Sequence, residues 1–133
     1  MTTAPAPRPP ANLAGLRAHP CDPLLLAVRV GARPLAGLAA WVDWRLGGPI
    51  SRLVRAGRVP TEGPLLLPPW RLLPAGRVLI WRVGAATAAD LARAVRELGA
   101  GAPGLCPEDF GLTAAEVARA FDGGATLFAP EVP

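Results

Sequence analysis

The chain has one serine, Ser51, and one histidine, His19. A Ser-His-acid triad needs a rigid base within hydrogen-bond reach of its nucleophile. His19 falls in a Pro-rich stretch with no apolar periodicity, which offers no such rigidity. The two cysteines, Cys21 and Cys106, are far apart and outside any Cys-x-x-Cys spacing. Only His19 could join them as a soft ligand, and a structural zinc site usually needs four. Glu108-Asp109 is the one adjacent carboxylate pair. Such a pair after a strand can hold a metal, but a solvated loop is the expected reading. No catalytic residue, metal site or cofactor is expected from these residue types.

Phosphate chemistry has two places to look. Gly84-Ala85-Ala86-Thr87 leads into a helix start, where exposed N–H groups can hold an anion. It lacks both the G-x-G-x-x-G and the G-x-x-x-x-G-K-[ST] spacing, so it reads as a plain strand-to-helix turn. The second place is a helix beginning at Pro49. Arg52 and Arg55 lie one turn apart on it, opposite Ile50, Leu53 and Val54, with Arg45 and Arg58 flanking. A solvated face is the expected role, and contact with nucleic-acid phosphates is the alternative. Among the aromatics, Trp41, Trp44 and Trp81 are expected in the core. Trp70, between Pro69 and Arg71, is the candidate partner contact.

Elements that would position these residues follow from composition and pattern. A chain of 133 residues predicts one domain, and 51% hydrophobic with 18% charged residues argues against disorder throughout. All 14 basic residues are arginine, giving a net charge of +4; this reads as coding bias more than as selection for guanidinium chemistry. Residues 1–22 read as a flexible Pro-rich leader and 23–133 as the single domain. The start lacks the apolar segment of a signal peptide and no apolar run reaches the ~20 residues of a membrane span, so a cytoplasmic chain with no membrane partner is expected.

Leu24–Val30 is a nearly continuous apolar run, the pattern of a strand covered on both faces. Leu35, Leu38, Val42 and Leu46 have helical spacing, Gly47-Gly48 break it, and Pro49 suits the first position of a second helix. Leu65–Leu67 and Val78–Val83 are strand candidates. Thr87 with Asp90 opens a helix that carries Leu91, Val95 and Leu98 on one face and stops at Gly99. Leu105-Cys106 is a short strand candidate. Thr113 and Glu116 make a capping box, Leu112 and Val117 a hydrophobic staple, and the helix runs to about Phe121. Ala125–Ala129 is a last strand. Strands alternating with helices predict an α/β layered domain with a mixed sheet.

The stretch Val42-Asp43-Trp44-Arg45-Leu46-Gly47-Gly48-Pro49-Ile50-Ser51-Arg52-Leu53-Val54-Arg55-Ala56-Gly57-Arg58, followed by Leu65-Leu66-Leu67-Pro68 and Arg77–Gly84, resembles the N-terminal domain of the leucyl (cytosol) aminopeptidases. The resemblance extends over residues 24–129 and implies a three-layer α/β/α macro-domain-like fold with a mixed sheet. In that family the two-metal centre lies in a separate catalytic domain, and no residue here matches its ligands. The implied function is therefore non-catalytic: protein–protein contact, by self-association into a homo-oligomer or by docking on a full-length aminopeptidase. Nucleic-acid binding through Arg45, Arg52, Arg55 and Arg58 is the alternative. ADP-ribose-type nucleotide binding is the further alternative, because macro domains proper bind ADP-ribose through Gly-rich loops. The loops after the strands lack those glycines, so an affinity no tighter than millimolar is expected.

Overall fold

The run Leu24–Val28 has no polar side, and all five of its residues are buried as strand β1. The structure, a computed structural model, describes residues 8–31, 35–99 and 101–131. A strand with two apolar faces must be covered twice. On one face Leu24, Leu26 and Val28 pack with Leu38, Val42 and Ile50; on the other, Leu25 and Ala27 pack with Leu91, Val95 and Val117. Strand β3 (Val78–Arg82) repeats the division, sending Val78 and Ile80 to the first face and Leu79 and Trp81 to the second.

The sheet order is β2-β3-β1-β4-β5, with β2 (Leu65–Leu67), β4 (Gly104–Leu105) and β5 (Thr126–Leu127) completing it. β2 is antiparallel to β3, and the other pairings are parallel, with Leu24 opposite Val78 and Val28 opposite Arg82. Helices α2 (Gly37–Leu46) and α3 (Pro49–Arg55) supply the first face. Helices α4 (Ala88–Leu98) and α5 (Ala114–Ala120), with a short 3₁₀ turn at Pro107–Phe110, supply the second. This is the three-layer α/β/α arrangement with a mixed sheet that the sequence predicts.

Local chemistry set most of these elements. Pro49 stands at the first position of α3. Thr87 and Asp90 form a reciprocal capping box on α4, as Thr113 and Glu116 do on α5. Gly99, in the left-handed region at φ 74°, ends α4. Two expectations differ. Trp81 is buried as predicted, but Trp44 is 73% exposed, on the side of α2 away from Leu38 and Val42. Trp41 is half-buried beside it, with ring centroids 6.3 Å apart and edge to face.

The second difference concerns the leader. Residues 1–7 lie outside the described residues. Residues 8–22, however, belong to the folded body. They carry helix α1 (Leu13–Ala18), capped by the Asn12 side chain on the Gly15 N–H, with Leu16 wholly buried. Pro10 bridges Ala129, Cys21 bridges Ala75, and Asp22 bridges Ala102. Arg8 grips Glu108 with both terminal nitrogens, at 2.9 and 2.6 Å. Prolines suppressed the periodicity there without preventing burial. Among the described residues, no helix is long and apolar enough to cross a membrane.

Leu16→Ala should therefore lower stability by about 2–5 kcal/mol, the range for emptying a buried leucine site. Urea unfolding measures it. A free leader would give no change.

Candidate functional site

β1 lies between β3 and β4, yet its chain leaves toward α2, whereas β3 leaves toward α4 and β4 toward α5 on the opposite face. Neighbouring parallel strands with diverging exits leave a crevice at their carboxyl ends. Two hollows meet at that edge. The smaller, about 210 Å³, is lined by Ala27, Arg29, Val83, Glu108 and Asp109. The larger, about 670 Å³, opens between Val30-Gly31 and the α2–α3 corner, where Asp43, Trp44, Gly47, Gly48, Ser51 and Arg55 face it. Leu35 lines both. The larger cleft is within the range of roughly 300–1,000 Å³ that small-molecule sites occupy.

The corner is built by two glycines and one carboxylate. Gly47 and Gly48 both sit in the left-handed region, at φ 82° and 90°, which reverses the chain between the helices. The carboxylate of Asp43, almost fully buried, accepts the Ile50 N–H at 2.7 Å, the Ser51 N–H at 3.1 Å and the Ser51 hydroxyl. Asp43 thus caps α3 from within α2, and the only hydroxyl of the serine type is already engaged. Sequence spacing gave no hint of this bond, because a partner seven residues away fits no local capping motif. Exposure of Trp44 did leave a signal. Two residues beyond Val42, it is turned about 200° from the Leu38–Val42 stripe.

At the smaller hollow, the 3₁₀ turn aims two neighbouring carboxylates in different directions. Glu108 is paired with Arg8, whose hydrogen bonds hold its carboxyl below the usual range. Asp109 reaches the start of α2 and accepts the Leu38 N–H at 2.9 Å; burial pushes its carboxyl up. Gly37, at φ 65°, is needed there, since a Cβ would collide with the Asp109 carboxylate. The pair predicted as a solvated loop is thus a structural anchor on both sides. Cys106 lies between, its thiol pushed up to about 12 chiefly by burial, and Cys21 is likewise raised to about 12 by burial. Among the described residues, no three His, Cys, Asp or Glu side chains gather where a metal ion could be held.

Of the candidate contacts, Arg52, Arg55 and Arg58 are exposed and Arg45 is half-buried. Arg52 donates to the Gly47 carbonyl at 2.9 Å. Arg55 rims the larger cleft, while Arg52 and Arg58 rim a shallow depression of about 400 Å³ beyond it, with Pro49, Leu53 and Ala56. Trp70 is half-buried against the core, so the most exposed indole at a cleft is that of Trp44. His19 is exposed at the end of α1, and Ser51 lies in α3 with its hydroxyl given to Asp43.

The chemistry available is an exposed indole face, a cation, apolar walls at Leu35 and Val54, and open backbone at Gly31 and Gly47, where an added Cβ would meet nothing within 4 Å. Helix N-termini offer little. Carboxylates of the chain itself cap α2 (Asp109), α3 (Asp43), α4 (Asp90) and α5 (Glu116). An anionic ligand would rely on guanidinium groups instead.

No family model and no curated protein sequence matches the chain. Solved structures do. The macrodomain of Mycobacterium tuberculosis DarG is similar over 87% of this chain and 93% of its own, with a TM-score of 0.62 and 17% identity. For the macrodomain of Thermus aquaticus DarG the coverage is 91% and 94%, the TM-score 0.55 and the identity 15%. The macro domain of ganglioside induced differentiation associated protein 2 follows, with 84% and 70% coverage, a TM-score of 0.54 and 9% identity. Identities this low establish a macro-domain-like fold. None of the three is an aminopeptidase domain.

The two carboxylates give opposite pH signatures. Folded Asp109 keeps its proton where the unfolded chain has released it, so its contribution to stability declines as pH rises from about 3.9 through its raised value. Folded Glu108 is already ionised where the unfolded chain is not, so its contribution is lost on acidification through its lowered value. Asp109→Asn retains an oxygen for the Leu38 N–H and removes the first effect alone. Its stability relative to the wild type should grow between pH 3 and pH 7, as followed by urea unfolding. A pH-independent difference would contradict the assignment.

Proposed function

We propose that this domain binds a nucleotide of the ADP-ribose type, without turnover, in the cleft between α2, α3 and the end of β1. One observation carries the reading. Trp44, 73% exposed, walls a hollow of about 670 Å³ at the carboxyl edge of the sheet. A largely exposed indole is costly to keep in water, and a nucleobase or similar flat ring stacked on it would recover that area. Base–aromatic stacking contributes about 1–3 kcal/mol per base.

The remaining parts fit the same ligand. Gly31 and Gly47 let it approach the backbone, where a side chain would otherwise stand. These are glycines that a search of loops for a G-x-G-x-x-G pattern does not find, because they come from two separate turns. Arg55 is placed to meet a phosphate at the rim. The macro-domain-like fold supports the class of ligand, and the self-capped helix N-termini argue for modest affinity, since a diphosphate would gain few backbone donors. The binding-only reading rests on Ser51 being bound to Asp43 and on the anchoring roles of Glu108 and Asp109. None of the three structural neighbours is an aminopeptidase domain, so docking on an aminopeptidase draws no support from them.

ADP-ribose should quench tryptophan fluorescence with a dissociation constant in the range of high micromolar to millimolar. Trp44→Ala should weaken binding at least tenfold in calorimetry, and Arg55→Ala about five- to tenfold. Trp70→Ala should leave it unchanged. Undiminished binding by the Trp44 variant would overturn this site.

A further inference from the structure

Helix α3 has three sides, and two of them are accounted for. Ile50 is buried and Val54 packs against the first core, while Ser51 and Arg55 face the cleft. On the third side Pro49, Leu53 and Ala56 recur at i, i+4 and i+7, a stripe turned about 110° from Ile50 and Val54 at 100° per residue. These three line the shallow depression of about 400 Å³, with Arg52 and Arg58 beside them. Leu53 is half-buried, yet among the described residues it belongs to neither hydrophobic core.

Backbone groups fix both arginines. Arg52 gives Nη1 to the Gly47 carbonyl at 2.9 Å, and among the described residues no carboxylate takes its other donors. Arg58 lies beyond the helix end. Gly57, in the left-handed region at φ 67°, turns the chain so that the Arg58 N–H meets the Leu53 carbonyl at 3.0 Å. That bond ties Arg58 to the middle residue of the stripe. Between Trp44 and Thr61 the sequence has four arginines and no carboxylate, an excess equal to the net charge of the whole chain.

We propose that this depression docks an acidic, leucine-bearing segment of a protein partner, with an apolar side chain seated on Leu53 and carboxylates on Arg52 and Arg58. The proposal stands apart from the nucleotide reading of the cleft. Charge complementarity selects the occupant. A second copy presenting the same face would bring four arginines against four, so a symmetric pairing through this stripe is repelled. A nucleic acid would use the two cations but gain nothing from Leu53 and Ala56, and Trp44, the exposed indole able to stack a base, lines the cleft and not this depression. Acidic side chains alternating with leucines use both the cations and the apolar floor. So shallow a surface suits a transient partner rather than an obligate one.

The test uses the full chain and a labelled helical peptide of about fifteen residues, with leucines four positions apart flanked by glutamates, read by fluorescence anisotropy. The peptide should bind at sub-millimolar concentration, and more weakly as salt is raised. Leu53→Ser and Arg58→Gln should each weaken it about fivefold to tenfold, with melting temperature and ADP-ribose affinity at the wild-type values. A peptide with the leucines changed to serine should lose a similar factor, and one with lysine for glutamate should not bind. Absence of binding by the acidic peptide, or binding indifferent to both Leu53→Ser and Arg58→Gln, would overturn the proposal. So would a single-stranded oligonucleotide that binds as tightly and ignores Leu53→Ser, which would mark a general polyanion surface. Self-association in sedimentation equilibrium that Leu53→Ser abolishes would assign the stripe to a second copy and overturn it as well.

Discussion

β1 is buried on both faces and paired on both edges, and every other layer is placed by that constraint. Five consecutive apolar residues cannot lie on a one-sided sheet without exposing two or three of them to water. Each buried Leu or Val is worth roughly 1.5–3 kcal/mol, so both faces must be covered. Helices α1, α2 and α3 cover one face and α4 and α5 the other. Because β1 has neighbours on either side whose chains leave toward the opposite layer, its own carboxyl end is where the crevice opens.

The cleft then depends on the corner that Asp43 closes. Without a carboxylate on Ile50 and Ser51, the N–H groups at the start of α3 would be unpaired at a half-buried site, and the angle between α2 and α3 would be free to change. The same corner holds Trp44 out. Trp41, one turn earlier, is fixed by its indole N–H on Glu131 at 3.0 Å, and Glu131 takes the Asn12 amide at 2.6 Å. Both ends of the described chain thus brace the helix that carries the exposed indole. Self-sufficient caps at every helix start leave arginines as the means of meeting an anion, and their concentration on one hairpin gives the surface a direction.

What the sequence revealed was local. The double-faced β1, the capping boxes at Thr87 and Thr113, Pro49 at the head of α3 and Gly99 at the end of α4 each rest on residues within a few positions of one another. The layered fold follows from their alternation. Illegible features rest on long-range contacts: Asp109 on the Leu38 N–H, Arg8 on Glu108, and Leu16 seated in the core behind a run of prolines. The cleft combines both kinds. Arg52 and Arg55 are exposed on α3, as their spacing away from Ile50 implies, but their division between the outer depression and the cleft rim is not legible in that spacing. Tryptophan usually belongs in the core, but Trp44, about 200° around the helix from Val42, points outward and is exposed. Gly31 and Gly47 meet only in three dimensions.

Entry of the proposed ligand beside Trp44 at the end of β1 can be read directly by NMR. The chain has four tryptophans, which give four indole N–H resonances for nitrogen–proton correlation NMR. Titration with ADP-ribose should move the Trp44 indole and the amides of Gly31, Gly47 and Gly48, and leave the buried Trp81 indole in place. Shifts confined to Gly84–Thr87 at the start of α4, with Trp44 unmoved, would contradict the account.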